Sequence, residues 1–539
     1  MATRRDFLIR VGRAGGVSAA FAMMQALDLM PGASEIAAAP LDLPPASGAG
    51  TTVAVLGAGI AGLVSAYELR KAGYEVTVIE ARARPGGRNW TIRNGTTVEF
   101  LDGTTQRPDW QASSYFNAGP ARIPSIHTTM LDYCRTLGVA LEVEVNSSRS
   151  ALLVSDRSLD DAPIEQRQAI NDTRGQVSEL LAKCLRQHAL DQQLTSADQE
   201  RLLAFLRVYG DLTPDYLYKG SERAGLARTP GAADQTGELR DPLPLAVLLD
   251  SGFWRGLMFE EQLDMQATMF QPVGGMDQIP YAFAKALGSV VTFEAPITAI
   301  GKTASGVRIA YRHRGTDRQV DADYCVCALP VTALKRIPND FSAEVRRAID
   351  DTSYDDAYKI AWEAPRFWET ESNIFGGISF LGGGPIGLVW YPSGDLFSRT
   401  GVLVSGYAVE SGTELGMLPN LQAKLDASRR AVDRLHPTAG ARLTQPVYVN
   451  WGQIASSEGS WVRRTLPGDA TAAGPTSSGY HEGAYRVFNA PDDRIYFSGD
   501  HCSRVGAWQE GAALSAHRTV RMIHERVQAE RLTASRAAR

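Results

Sequence analysis

Val53 to Leu56 is a short, unbroken apolar run with two β-branched residues, the pattern of a strand buried on both faces. Ile60 to Lys71 has helical spacing and good helix formers, and it closes at Gly73. Glu75 to Ile79 then alternates polar and apolar, predicting a second strand. Farther along, residues 163–206 carry an amphipathic helical pattern rich in Leu, Gln, Arg and Glu. The Gly/Pro-rich stretch 219–244 reads as a long surface excursion. "FQPVGGMDQIPYAFAKAL" is a glycine turn leading into a helix. "SVVTFEAPITAIGKT" and "GVRIAYRHR" alternate as strands, and "DYCVCALP" is a buried one. "KIAWEAPRFW", "GLVWYPSG" and "GVLVSGYAVE" predict successive antiparallel strands. "RIYFSGDHCSRVGAWQEGAALSAHRTV" closes the chain as strand, loop and helix. Strands able to extend the first sheet thus recur far from residue 50. They predict a discontinuous α/β domain interrupted by a helical insertion and an antiparallel sheet.

Between the first strand and helix, Gly57, Gly59 and Gly62 spell G-x-G-x-x-G. Gly57 permits a tight turn, Gly59 lets backbone approach a pyrophosphate, and Gly62 lets the helix pack close to the strand. Glu80 ends the second strand, where a carboxylate can take ribose hydroxyls. The ordered set indicates a dinucleotide site without separating NAD from FAD.

The first fifty residues have a different character. Arg4 and Arg5 precede Phe7 and Leu8, then a Gly/Ala-rich run, then "EIAAAP". That is the order of a twin-arginine export signal over residues 1–39, with a small-residue cleavage site. Asp28 interrupts the apolar run too soon for a bilayer-spanning helix. The twin-arginine machinery carries folded cargo, which suits a protein that acquires its cofactor before export to the periplasm or beyond. A formal net charge of −5 over 539 residues gives no electrostatic case for nucleic acid or anionic membrane. Five scattered cysteines without a His cluster suggest neither a zinc site nor a disulfide framework.

"EARARPGGR", from Glu80 to Arg88, resembles the second signature of the glutathione-reductase-type FAD proteins. With "GPARIP", "PVGGMDQIP" and "SGDHCSRVGAWQEGAALSA" it resembles the flavin monoamine oxidases, and within them the L-amino-acid oxidases. The resemblance implies a discontinuous FAD-binding Rossmann-like domain (50–115, 272–330, 485–530). It also implies an antiparallel-sheet substrate domain (116–135, 331–484) and a helical insertion (136–271). It places FAD against Gly57, Gly59, Gly62, Glu80, Ala81, Arg82, Gly87, Arg88, Gly119, Pro120, Ala121, Arg122 and Ile297. Asp500, Trp508 and Gln509 complete that set, with N–H groups near Gln509 and Glu510 facing the flavin's pyrimidine end.

By the same resemblance, Arg122 clamps the substrate carboxylate, a task suited to a planar fork of donors. Lys359 holds a water at flavin N5, and Trp508 and Trp461 flank the amine. Asp264, Met265 and Gly506 fall to the substrate pocket, where Asp264 could favour cationic side chains. Covalently flavinylated relatives carry a cysteine where this chain has Ser460, so FAD is expected without a covalent link. One position departs from the pattern. A second carboxylate partner, a tyrosine, aligns with Gly406, and Tyr407 follows one residue later. A one-residue offset reverses the face of a strand, which leaves either a shifted register or a clamp of Arg122 alone. The implied reaction is oxidation of L-amino acids to 2-oxo acids, ammonia and hydrogen peroxide, with dioxygen as acceptor. An amine oxidase on substrates lacking a carboxylate, a decarboxylating monooxygenase and a flavin-binding protein without turnover are the rivals. No membrane contact is expected of the mature form, and a homodimer stays open.

Overall fold

The computed structural model describes residues 41–157, 159–190, 192–409, 414–463 and 482–537. The export-signal expectation falls on residues 1–39, outside that set. The first strand forms at Thr52–Leu56, the first helix at Ile60–Lys71 and the second strand at Glu75–Ile79. These open a five-stranded sheet whose spatial order is Val291–Thr292, Glu75–Ile79, Thr52–Leu56, Tyr324–Cys327 and Ile495–Phe497. Every neighbouring pair in it is parallel. Its strands come from the beginning, middle and end of the chain.

Both faces of this sheet are buried, as parallel strands require. Val53, Val55, Tyr324 and Val326 pack with the helices Ile60–Lys71, Gln278–Leu287 and Gln509–Ala537. Ala54, Leu56, Cys325 and Cys327 point the other way, onto Ile300, Ile309 and Ile349. The two cysteines therefore act as small apolar core residues, and burial pushes the Cys327 thiol up to about 12. Gly57 has φ 93°, and a Cβ on Gly62 would lie 2.0 Å from the Gly57 carbonyl oxygen. The first turn thus needs glycine at one residue for its conformation and at the other for space.

A seven-stranded sheet stands beside the nucleotide sheet. Its order is Ile164–Glu165, Leu152–Val154, Gly377–Leu381, Leu388–Tyr391, Thr400–Val409, Ala357–Pro365 and Thr444–Asn450. All its pairs are antiparallel except Leu152–Val154 with Gly377–Leu381. Two expectations change here. Ala357–Pro365 does not pair with the strand that follows it; it lies beyond Thr400–Val409. The stretch 136–271, expected as helical, holds the helices Gln166–Arg186 and Ser196–Tyr209 but also contributes strands. Leu141–Glu144 pairs with Met269–Pro272, and two strands extend the large sheet. Among the described residues no helix is long and apolar enough to cross a membrane.

Candidate active site

A cavity of about 610 Å³ lies between the carboxyl ends of the parallel strands and the large sheet, the usual place for a ligand in an open α/β sheet. Gly57, Gly59, Glu80, Ala81, Arg82, Gly87 and Arg88 line one end, with Ile297, Asp500 and Gln509. Gly119, Pro120, Ala121, Arg122, Met265, Lys359, Tyr407, Trp461 and Trp508 also line it. Gly62, Asp264 and Gly506 do not. Gly62 is buried under the Gly57 turn, and Ala507, next to Gly506, reaches the cavity in its place.

The nucleotide end is built to hold a dinucleotide. A Cβ on Gly59 would meet no protein atom within 4 Å. The helix beginning at Ile60 has no side-chain cap, so its first N–H groups are free for a phosphate. The Glu80 carboxylate accepts from Ala58 N at 2.7 Å and Arg82 N at 2.9 Å. These bonds fix its orientation toward a ribose. Arg82 donates to Ala455 O at 2.6 Å and Ser457 Oγ at 2.7 Å. Arg88 pairs with Asp500 at 2.5 Å. Burial alone would raise the Asp500 carboxyl, but the Arg88 guanidinium overrides it and holds the group below the usual range. Asn89 donates to Gln509 Oε1 at 2.6 Å, while its own Oδ1 is buried with no partner among the described residues. Asn89 itself lines the cavity.

The other end is dominated by two cations, Lys359 buried and Arg122 half-buried. Lys359 is 4% exposed and donates to Asn117 O at 3.0 Å and Gly119 O at 2.6 Å. Burial, reinforced by the charge of Arg122, lowers its ammonium to about 7. Arg122 donates to Asn146 Oδ1 and stacks on Trp390, 4.4 Å from the ring centre. No carboxylate among the described residues lies within ion-pair distance of it. Burial lowers the guanidinium's affinity for its proton, but an arginine stays charged.

Tyr407 faces the same cavity despite its offset. Lys359 pairs with Tyr407 across the strands, yet Ala361 pairs with Val404. Between those pairs Ser405 and Gly406 oppose Ile360 alone, and this bulge turns Tyr407 back to the Lys359 face. Lys359 lies 5.0 Å from the Tyr407 ring centre.

Asp264 is corrected from pocket wall to support. Its Oδ2 accepts the Trp508 indole N–H at 3.0 Å, which turns the carboxylate toward the tryptophan edge. His127 meets the same indole edge-on at 4.9 Å, and burial lowers its imidazole to about 4, so it is neutral. Glu510, in the first turn of the last helix, accepts from Thr129 N at 3.0 Å and Met130 N at 2.9 Å. It thereby caps the helix Thr128–Thr136. Ser460 donates to Asp355 O at 2.6 Å, and no cysteine lines the cavity. Sequence reading missed Glu144, Asn146 and Trp390, which surround Arg122. Their signal is the alternation in "LEVEVN", where Glu142, Glu144 and Asn146 share one face.

A family model described as flavin-containing amine oxidoreductase matches residues 60–524. The L-amino-acid oxidase of Pseudechis australis is 25% identical over 490 residues, covering 88% of this chain and 87% of its own. The flavin-dependent L-tryptophan oxidase RebO of Lentzea aerocolonigenes is 27% identical over 503 residues, covering 87% and 97%. Wild-type putrescine oxidase bound to putrescine superposes with a TM-score of 0.55 at 20% identity, over 88% of this chain and 98% of that one. Cyclohexylamine oxidase from Brevibacterium oxydans IH-35A gives 0.57 at 16%, over 89% and 99%. At those identities the structural likeness speaks to the fold.

The lowered Lys359 ammonium carries a stability prediction. The unfolded chain keeps that proton up to the ordinary lysine range, while the folded chain releases it near pH 7. Between those limits the unfolded state binds more protons, so folding is favoured as pH rises. Wild type should therefore gain thermal stability relative to Lys359→Met from pH 7 to pH 10. A gap between the two melting temperatures that stays constant with pH would show that Lys359 is not desolvated.

Proposed function

The chain belongs to the flavin-containing amine oxidoreductases, and within that family we propose an FAD-dependent L-amino-acid oxidase, exported by the twin-arginine route. The observation that carries the substrate class is Arg122. A half-buried guanidinium that lines the cavity, with one side-chain amide as acceptor and no carboxylate among the described residues within ion-pair distance, fits an acidic ligand. An amine without a carboxylate gives that charge nothing to pair with. The relatives described above that are named for their action on amino acids agree with this reading.

FAD, when bound, supplies the two-electron acceptor. The amino acid loses two electrons and two protons to give an imino acid, which water hydrolyses to a 2-oxo acid and ammonia. Dioxygen takes the two electrons and two protons and leaves as hydrogen peroxide. Arg122 and Tyr407 hold the carboxylate and so orient Cα. Trp461 and Trp508 close the site against water, with Asp264 fixing the Trp508 indole. Lys359 keeps a donor beside the reaction centre, anchored by two backbone carbonyls. In rapid mixing, Lys359→Met should slow reaction with substrate or with dioxygen severalfold. The nucleotide-binding groups are Glu80, Arg82, Arg88 and Asp500.

With no cysteine on the cavity wall, FAD is held without a covalent bond. Acid precipitation should leave the flavin in the supernatant; flavin retained in the pellet overturns this. Arg4→Lys with Arg5→Lys should strand a cofactor-loaded precursor in the cytoplasm, and unchanged export of that variant would remove the twin-arginine reading.

Arg122→Met tests the substrate class. Breaking a buried arginine–carboxylate pair from one side costs about 3–5 kcal/mol. At ~1.4 kcal/mol per decade, kcat/KM for amino acids should fall by roughly two to three and a half powers of ten. FAD content and peroxide production from amines lacking a carboxylate should not fall with it. An equal loss for acids and amines, or an apoprotein, would defeat the amino-acid reading.

A further inference from the structure

Behind the Arg122 clamp lies a second chamber of about 80 Å³, room for two or three water molecules at ~30 Å³ each. It shares Ala121, Lys359 and Trp390 with the main cavity. Its wall includes Glu144, which is 3% exposed. One oxygen of Glu144 accepts the Trp390 indole N–H at 3.1 Å. The other is buried with no partner among the described residues. The same Trp390 ring stacks under Arg122, and Asn146, two residues beyond Glu144, accepts from Arg122. Glu144 is thus tied to the clamp through the tryptophan beneath it and through its own chain.

We propose that Glu144 is a positioning residue for the substrate carboxylate: ionised, it balances the Arg122 charge in the free enzyme, and it takes up one proton from solvent when a substrate carboxylate pairs with Arg122. This rests on the amino-acid reading above. Two carboxylates cannot both stay ionised beside one guanidinium in a site with little water. The incoming carboxylate is fixed by the substrate's identity, so the resident one yields. The chamber has room for water that would bring the proton to the Glu144 side chain in its wall.

The charged groups around Glu144 point the same way. Burial raises its carboxyl to about 7, against the opposing pull of Arg122 and the Trp390 hydrogen bond. Once a ligand carboxylate neutralises Arg122, that pull is lost and the proton is held more firmly. Lys359 lines the same chamber, and its ammonium also ionises near 7. Arg366 lines the chamber but is committed to Glu369, Gly394 O and Thr400 O. Asp395 lies at the exposed rim.

The sign follows. Below pH 7 Glu144 already holds its proton, and carboxylate affinity is flat with pH. Above pH 7 each binding event must draw a proton, so Kd rises by up to about tenfold per pH unit.

The test uses FAD-loaded enzyme and hydrocinnamate, a carboxylate without an amine, titrated by the flavin absorbance change from pH 6 to pH 9. Wild type should show the rise above pH 7. Glu144→Gln keeps an acceptor for Trp390 and should give a flat profile at the wild-type low-pH affinity. Lys359→Met should keep the wild-type slope, which separates the two titrating groups. Calorimetry of wild type in buffers of different ionisation enthalpy should record uptake of about one proton per ligand above pH 8 and none at pH 6. That measurement stands even where Glu144→Gln does not fold. A flat wild-type profile, an unchanged slope in Glu144→Gln, a slope lost in Lys359→Met, or no proton uptake overturns the proposal while leaving the amino-acid reading intact. Failure of hydrocinnamate to bind wild type at any pH, with turnover of phenethylamine instead, overturns both.

Discussion

Arg88 and Asp500 stand 412 residues apart in the chain and 2.5 Å apart in space. That pair, seconded by Asn89 and Gln509, closes the nucleotide end of the cavity. The edge strand of the parallel sheet, Ile495–Phe497, arrives last and pairs with Tyr324–Cys327, just before this closure. The pair is mostly desolvated: the Asp500 side chain is 8% exposed and that of Arg88 26%. Breaking a fully buried pair costs about 3–5 kcal/mol; with a quarter of the arginine still in solvent, less is at stake here. Its larger effect is on geometry. It sets the loop after that strand and hence where the last helix begins. From there follow the positions of Trp508 and Gln509, and of Glu510 over the start of the helix Thr128–Thr136.

A second constraint runs through the substrate end. Arg122 and Lys359 share a cavity wall with little water, and two like charges so placed cannot both be comfortable. Arginine holds its proton, so lysine gives way, and burial and Arg122 together bring its ammonium to about 7. Glu144 offsets part of the remaining charge without touching the guanidinium. The charge of the site is shared among Arg122, Lys359, Glu144 and Asp264, and of these the Glu144 carboxyl and the Lys359 ammonium ionise near neutrality.

The nucleotide half was legible because each of its requirements is local. The turn at Gly57, the close approach at Gly62 and the terminal acid Glu80 all fall within 24 residues of the sequence, and both strands and the helix form where the pattern places them. The face of Tyr407 was not legible, since it depends on a bulge in pairing with a strand some forty residues earlier. The role of Asp264 was not legible either. Its partner Trp508 is 244 residues away, and a carboxylate in a short helical turn has no local sign of such a contact.

Glu144 shows what kind of signal was present and passed over. In Leu141–Glu144 and the residues after it, polar and apolar positions alternate cleanly. The ordinary inference puts the apolar side inward. Here Val143 is 54% exposed and Glu144 is 3% exposed. A strand worn inside out is costly: a buried carboxylate must be paired, hydrogen-bonded or protonated. Glu144 meets that cost only partly, through one indole N–H, and its second oxygen has no partner among the described residues. Folding alone gives no reason to keep such a group, since an apolar side chain of similar size would pack there without penalty. Its cost is offset by the Trp390 hydrogen bond and by the charge of the half-buried Arg122 guanidinium. The inverted strand and the unpaired arginine are therefore one feature, a charge arrangement completed by the ligand.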